Sequence, residues 1–246
     1  MATPYYDEET EGNVYHTISS SSTARTTSTI TSDQLSDFFR ESRGRLYPLD
    51  ENLPMTYPVD DVEVLRHKMQ HQCLKALVHG RIKTTDIGHK NMRWQLGSEM
   101  AEEFPHCDVV SVDIAPIVTH TPRANLTFEV YDLYAGVAEP DESFDYISCR
   151  HVQTHVKEYD RLVFDLYRVL RPGLVSICEV ENYLYETDQP PYNNLAYRAH
   201  PELCKGLDLV RVAMEKQGVD LSAIYQIPDW LRPNSEFWTQ MGVKYQ

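Results

Sequence analysis

Val109-Val110-Ser111-Val112-Asp113-Ile114 reads as an apolar strand that closes on a carboxylate, and the rest of the chain falls into order around it. A mostly apolar run suits a strand of a parallel sheet covered on both faces. Upstream, Ile82 to Ile87 reads as a short strand that ends beside Asp86; downstream, Leu126 to Tyr131 ends at Asp132. Phe144 to Cys149 makes a fourth strand, and Leu174 to Val180 a fifth after the Arg171-Pro172-Gly173 turn. Helical spacing separates them. Asp60 to Val78 places Val64, Met69 and Leu74 to Leu77 on one apolar stripe, Glu99 to Phe104 ends a helix, and Tyr159 to Leu170 turns Leu162, Leu166, Val169 and Leu170 inward. Strands alternating with helices predict an α/β fold with a mostly parallel sheet covered on both faces. Ligands of such sheets sit beyond the carboxyl ends of the strands, where Asp86, Asp113 and Asp132 all fall.

Composition narrows the class. The 246 residues suffice for one large domain, and 41% hydrophobic content can fill a sizeable core. A formal charge of −14 opposes nucleic-acid and anionic-membrane binding, which draw on Lys and Arg. The five cysteines show no Cys-x-x-Cys spacing, so neither a zinc ribbon nor a disulfide framework is expected, and a reducing compartment follows. With no apolar run of membrane-spanning length, the expectation is a cytoplasmic protein, with diffusion into the nucleus left open. Between Thr17 and Ser32 twelve of sixteen residues are Ser or Thr, behind the acidic Asp7, Glu8, Glu9 and Glu11. Such a stretch offers little apolar surface to offset its ordering entropy, so residues 1–35 read as a disordered tail, 36–246 as the folded domain, and 36–80 as its leading helices.

The stretch Thr85-Asp86-Ile87-Gly88-His89-Lys90-Asn91-Met92 begins like an Asp-x-Gly-x-Gly-x-Gly turn, in which residues without a Cβ let the backbone pass close to a nucleoside. Of those glycines Gly88 alone is present. His67 and His71, like His151 and His155, stand four apart, but no third ligand accompanies either pair, so no metal is expected. Tyr183, Tyr185 and Tyr192, near Pro190-Pro191, fit either an aromatic substrate pocket or surface packing. Asp113 and Asp132, taken alone, fit helix capping or loop solvation better than ligand binding.

Taken together, these strings resemble the class I S-adenosylmethionine-dependent methyltransferases, in particular the fungal branch of secondary metabolism and velvet-associated regulators. The resemblance runs from about Tyr47 to Val243. It is carried by Arg66 and Gln70-His71, Asp86-Ile87-Gly88, Trp94, Glu99 to Pro105, Val112 to Ile117, Phe128 to Asp132, Ser143 to Ile147, Leu170 to Gly173 and Glu179-Val180-Glu181. It implies a Rossmann-like sheet in which Asp113 receives the ribose hydroxyls of S-adenosylmethionine, Asp132 lies by the adenine amino group and Ile114 packs on the adenine face. Asp86 and Gly88 would border the methionine end, and Arg150 and His151 would stand near the transferable methyl group. Gln70 and His71 would come from a helix covering the pocket. The implied partner is a small metabolite, with His151 as general base and Glu179 and Glu181 as alternatives.

Two departures support a second reading. Lys90 and Met92 stand where the resemblance implies glycines, filling space meant for the methionine moiety. The sequence also stops at Gln246 where a sixth and seventh strand would follow, so the expectation is a sheet short of its last two strands, with an edge that a protein partner would cover. The alternative to an enzyme is thus a catalytically inactive accessory protein of the same fold that modulates a biosynthetic enzyme or regulatory complex.

Overall fold

The strand that closes on Asp113 is β5, Val109–Asp113, and it runs parallel to β6, Leu126–Val130, with Val109 opposite Leu126 and Asp113 opposite Val130. Every residue of β6 is buried, the polar Thr127 and Glu129 included, and Glu129 is 0% exposed. The computed structural model describes residues 15–21, 24–30, 34–49, 53, 57–77, 94–116, 123–133, 136–186 and 194–232. The strand expected at 82–87 and the loop containing Asp86, Gly88, Lys90 and Met92 lie outside those residues, as do Tyr192 and residues 233–246.

Contacts divide the chain into two units, one within 1–52, 56–150 and 165–177, the other within 53–55, 151–164 and 178–246. In the first, helix α2, Trp94–Glu103, lies on the β5–β6 pair, and Ala101 joins Val109, Leu126, Phe128 and Val130 in one buried cluster. The Asn125 side-chain amide ties the helix end to the strand start, donating to the carbonyls of Ala101 at 3.0 Å and Cys107 at 2.9 Å. The Ala101 carbonyl is among those a helix end leaves without a partner inside the helix.

The same cluster holds Ile30, which is 3% exposed. Where composition predicts a solvated tail, β1, Tyr15–Ser21, and β2, Ala24–Ile30, form an antiparallel hairpin, and β1 adds parallel to β6 with His16 opposite Glu129 and Thr17 opposite Val130. The sheet order is β2-β1-β6-β5. Low hydrophobicity argued for disorder, but Thr is a good strand former, the β6 edge offers backbone groups to pair with, and Ile30 supplies an apolar anchor.

Residues 36–48 also differ from the helix expected. After a 3-10 turn at Leu35–Phe38 come β3, Phe39–Ser42, and β4, Arg45–Pro48, joined by Arg43 at φ 53° and Gly44 at φ 70°. Two successive positive φ values are what a tight two-residue hairpin turn needs. Helix α1, Asp61–Leu77, follows with the bounds expected to within a residue. Its inward face is not the apolar stripe: Glu63, Val64 and His71 are buried, whereas Met69 is 60% exposed. Polar side chains with partners hold this helix, and hydrophobic spacing could not report them.

Strand β7, Phe144–Arg150, pairs with β8, Leu170–Cys178. Ser143 N–H donates to Val169, and His151 N–H to Cys178, so partner positions climb together along both chains and the pair is parallel. Helix α3, Tyr159–Val169, runs directly into β8, and Arg171-Pro172-Gly173 lies within the strand rather than in a turn before it. The second unit contains α4, Pro201–Lys216, and α5, Ala223–Trp230. Gly218 at φ 89° ends α4, with Gly218 N–H bonded to Glu215 and Val219 N–H to Met214, the double closure that a left-handed residue after a helix allows. Among the described residues no strand follows β8, and no helix is long and apolar enough to cross a membrane.

Candidate functional site

Because β5 and β6 are parallel and in register, their carboxyl ends emerge together, and the chain turns after each on a carboxylate. Asp113 Oδ1 accepts the N–H of Ile114 at 2.8 Å, which sharpens the turn out of β5. The Asp113 carbonyl accepts Tyr131 N–H at 3.1 Å, tying the first residue beyond β6 back to β5. Asp113, Ile114 and Asp132 are all half-buried, while Ala115 and Pro116 are buried behind them. The result is a pair of carboxylates with an aliphatic side chain at one sheet end. Carboxylates accept two hydroxyls at once and can receive an amino group, so this set suits a nucleoside.

At the end of β7, Arg150 Nη2 lies 3.3 Å from His71 Nδ1, and the Nε2 on the other side of that ring lies 3.2 Å from Glu99 Oε2. One imidazole from α1 therefore links β7 to α2. The resemblance gave Arg150 a place near the methyl group and His71 one on a helix covering the pocket; the structure brings the two side chains into contact and adds Glu99, to which no role had been given. Nothing local could have signalled Glu99, since the three residues come from three separate elements. On the outer turn of α1, Arg66 bonds Gln70 at 3.1 Å and Glu63 at 2.7 Å, so Gln70 serves the helix surface.

In the second unit His151 has φ 54°, a left-handed conformation that costs a non-glycine residue about 1 kcal/mol or more. Its N–H bond to Cys178, 3.0 Å, helps hold it there. Glu179 Oε1 accepts both Val152 N–H at 3.0 Å and the hydroxyl of buried Tyr159 at 2.8 Å, so this carboxylate fixes the turn that carries His151. Glu181 accepts the hydroxyls of Tyr185, at 2.7 Å, and of Tyr225. The bond to Glu181 pushes the Tyr185 phenol up to about 12. Tyr183 carries the Arg211 guanidinium 3.9 Å from its ring centre. Both alternative bases thus receive structural donors, and the face of Tyr183 is occupied by a cation.

Residues 95–178 match a family described as the methyltransferase domain. Within that span the chain is similar to a methyltransferase domain. Its alternation of helices with parallel strand pairs is a Rossmann-like α/β arrangement, and Asp113, Ile114, Asp132, Arg150 and His151 all lie inside the matched span. Over 217 residues the chain is 24% identical to "Secondary metabolism regulator laeA" of Coprinopsis cinerea, covering 80% of this chain and 54% of the relative. Over 190 residues it is 26% identical to "Methyltransferase pytC" of Aspergillus terreus, covering 72% and 55%. It is also 23% identical over 120 residues to "Methyltransferase str3" of Strobilurus tenacellus, covering 46% and 43%. The chain spans about half the length of the first two relatives. Among solved structures it matches the [4+2]-cyclase SpnF, at TM-score 0.35 and 17% identity over 68% of this chain and 72% of that one. A putative methyltransferase from Bacillus halodurans matches at TM-score 0.33 and 13% identity, over 68% and 88%.

Proposed function

We propose that the chain is an S-adenosylmethionine-dependent methyltransferase acting on a small metabolite of fungal secondary metabolism. The observation that carries this reading is Asp113, a half-buried carboxylate where β5 leaves the sheet, inside the span that matches the methyltransferase domain. Asp113 would hold the ribose hydroxyls, Asp132 the adenine amino group, Ile114 the adenine face, and Arg150 the border near the reacting end. S-adenosylmethionine, when bound, supplies an electrophilic methyl group. The chain's own residues orient the acceptor in line with it and exclude water, so the rate comes mostly from proximity and desolvation. His151 Nε2 or Nδ1 takes the acceptor's proton, and its turn is fixed by Glu179 and Cys178. The five free cysteines suit a reducing compartment, and we infer the cytoplasm.

Calorimetric titration with S-adenosylmethionine and S-adenosylhomocysteine tests the reading. Micromolar binding by the native chain, weakened at least tenfold in a folded Asp113→Ala variant, supports it; equal binding by both overturns the role of Asp113. Lys90 and Met92 favour a second reading, an accessory protein of the same fold that works by binding a protein partner. In that case the native chain binds neither ligand, Lys90→Gly/Met92→Gly restores binding, and Asp113→Ala leaves the partner's response unchanged.

A further inference from the structure

Helix α1 turns its apolar side to water. Val62, Leu65 and Met69 are 65%, 58% and 60% exposed, and Cys73 and Ala76 are exposed further along, while Glu63, Val64 and His71 on the opposite side are buried. At about 3.6 residues per turn the five exposed residues form one stripe roughly 21 Å long, across the helix from its buried face. Single exposed apolar side chains are ordinary, but a stripe along a whole helix marks a contact surface. Steps of three and four put Val62, Leu65, Met69, Gln72 and Ala76 on the seam positions of two heptads, with β-branched Val62 opening the first heptad and Leu65 at its fourth position.

The borders of the stripe carry opposite charges. Asp61 lies along one edge and Arg66 along the other, both exposed. Glu63 at 2.7 Å and Gln70 at 3.1 Å keep the Arg66 guanidinium at its edge. In two parallel helices sharing such a seam, a residue on one edge meets the residue one turn and a half further along the opposite edge of its neighbour. That pairs Asp61 of each copy with Arg66 of the other, twice by symmetry.

We propose that the outer stripe of α1 is a self-association seam, on which a second copy of this chain docks its own α1 in parallel. An unrelated acidic segment would answer Arg66 but oppose Asp61; a second copy answers both. Val62, Leu65, Met69 and Ala76 then each face their own counterpart, and the paired Gln72 amides bond one another, since an amide both donates and accepts. So short a seam gives a weak, concentration-dependent dimer rather than a permanent one. Val62, Leu65 and Met69 have no place in the proposed cofactor site, so the seam and the methyltransferase reading are tested separately.

Sedimentation equilibrium of the full chain at rising micromolar concentration is expected to show monomer passing to dimer. Leu65→Lys replaces a side chain already in water, so the fold should survive it, and it should weaken association at least about tenfold, the scale of leaving a leucine of each copy unburied. An unchanged dimer in Leu65→Lys, with the native circular dichroism and melting temperature, puts the contact elsewhere and overturns the proposal. A native chain that stays monomeric overturns it too, and leaves the stripe to a different protein. Orientation is read by treating Val62→Cys, in a Cys73→Ser background, with oxidised glutathione. The parallel pairing brings the two introduced thiols face to face and yields a disulfide-linked dimer. A protein that dimerises but is not linked at that position pairs in another direction, and the proposed register fails.

Discussion

Gly173 shows how much a single hydrogen in place of a side chain can decide. A Cβ built there would sit 2.1 Å from the Asp145 carbonyl oxygen, backbone against backbone, with no flexible group to yield. Gly173→Ala should therefore force β7 and β8 apart and destabilise the protein by about 2–4 kcal/mol in urea unfolding. Gly206, in the body of α4, is the counterpart: nothing lies within 4 Å of its would-be Cβ. Gly206→Ala should raise stability by about 0.5–1 kcal/mol, because alanine loses less freedom in a helix. Equal effects from the two substitutions would contradict the close approach of β8 to β7. At this scale the sequence was partly legible. Asp113 and Asp132 could be singled out because each ends or directly follows a mostly apolar strand, a local pattern, and Arg150 through the resemblance. His71 with Glu99, and Glu179 with Tyr159, could not, because their meaning lies in a neighbour distant along the chain.

Among the elements, α1 depends on its first residue and on the hairpin before it. Asp60 precedes the helix and accepts Glu63 N–H at 3.1 Å, satisfying one of the donors a helix start leaves open. It also receives Arg45 of β4 through two nitrogens, Nη2 at 2.8 Å. The Arg45 hydrogen bond, opposed by burial and aided by Glu63 N–H, holds the Asp60 carboxyl at about 2 instead of 3.8. A carboxylate depressed on folding adds stability that is complete above its unfolded value and is lost as pH falls through the folded one. The stability gap between native chain and Asp60→Asn, which keeps the cap but not the charge, should thus be widest near pH 6 and close between pH 4 and 2. A gap constant across that range would show that the Arg45 contact contributes nothing. Strands β5, β6 and β7 were read from the sequence to within about a residue because a short, mostly apolar run is a local signal. The inward face of α1 was misread because ion pairs and hydrogen bonds, rather than hydrophobic spacing, decide which side of it is buried.

For the molecule as a whole, the largest departure from sequence expectation is the hairpin of β1 and β2. Composition measures how little such a segment can bury by itself; it is blind to an open strand edge elsewhere that can receive it. Ile30 gives the test, since it packs with Ala101, Val109, Leu126, Phe128 and Val130. Ile30→Ala should cost about 2–4 kcal/mol in a denaturation curve, the usual penalty for emptying a core site, whereas a solvated tail predicts no change. The placement of β1 also has a consequence in time. The hairpin can close on itself within microseconds of leaving the ribosome, yet the strand it finally lies against, β6, is made far later. At ordinary rates of synthesis that interval is on the order of ten seconds. Through it, a Thr- and Ser-rich hairpin with a bare edge must stay soluble, and the polar composition that disguised it as a tail is what keeps the nascent chain from finding a wrong partner.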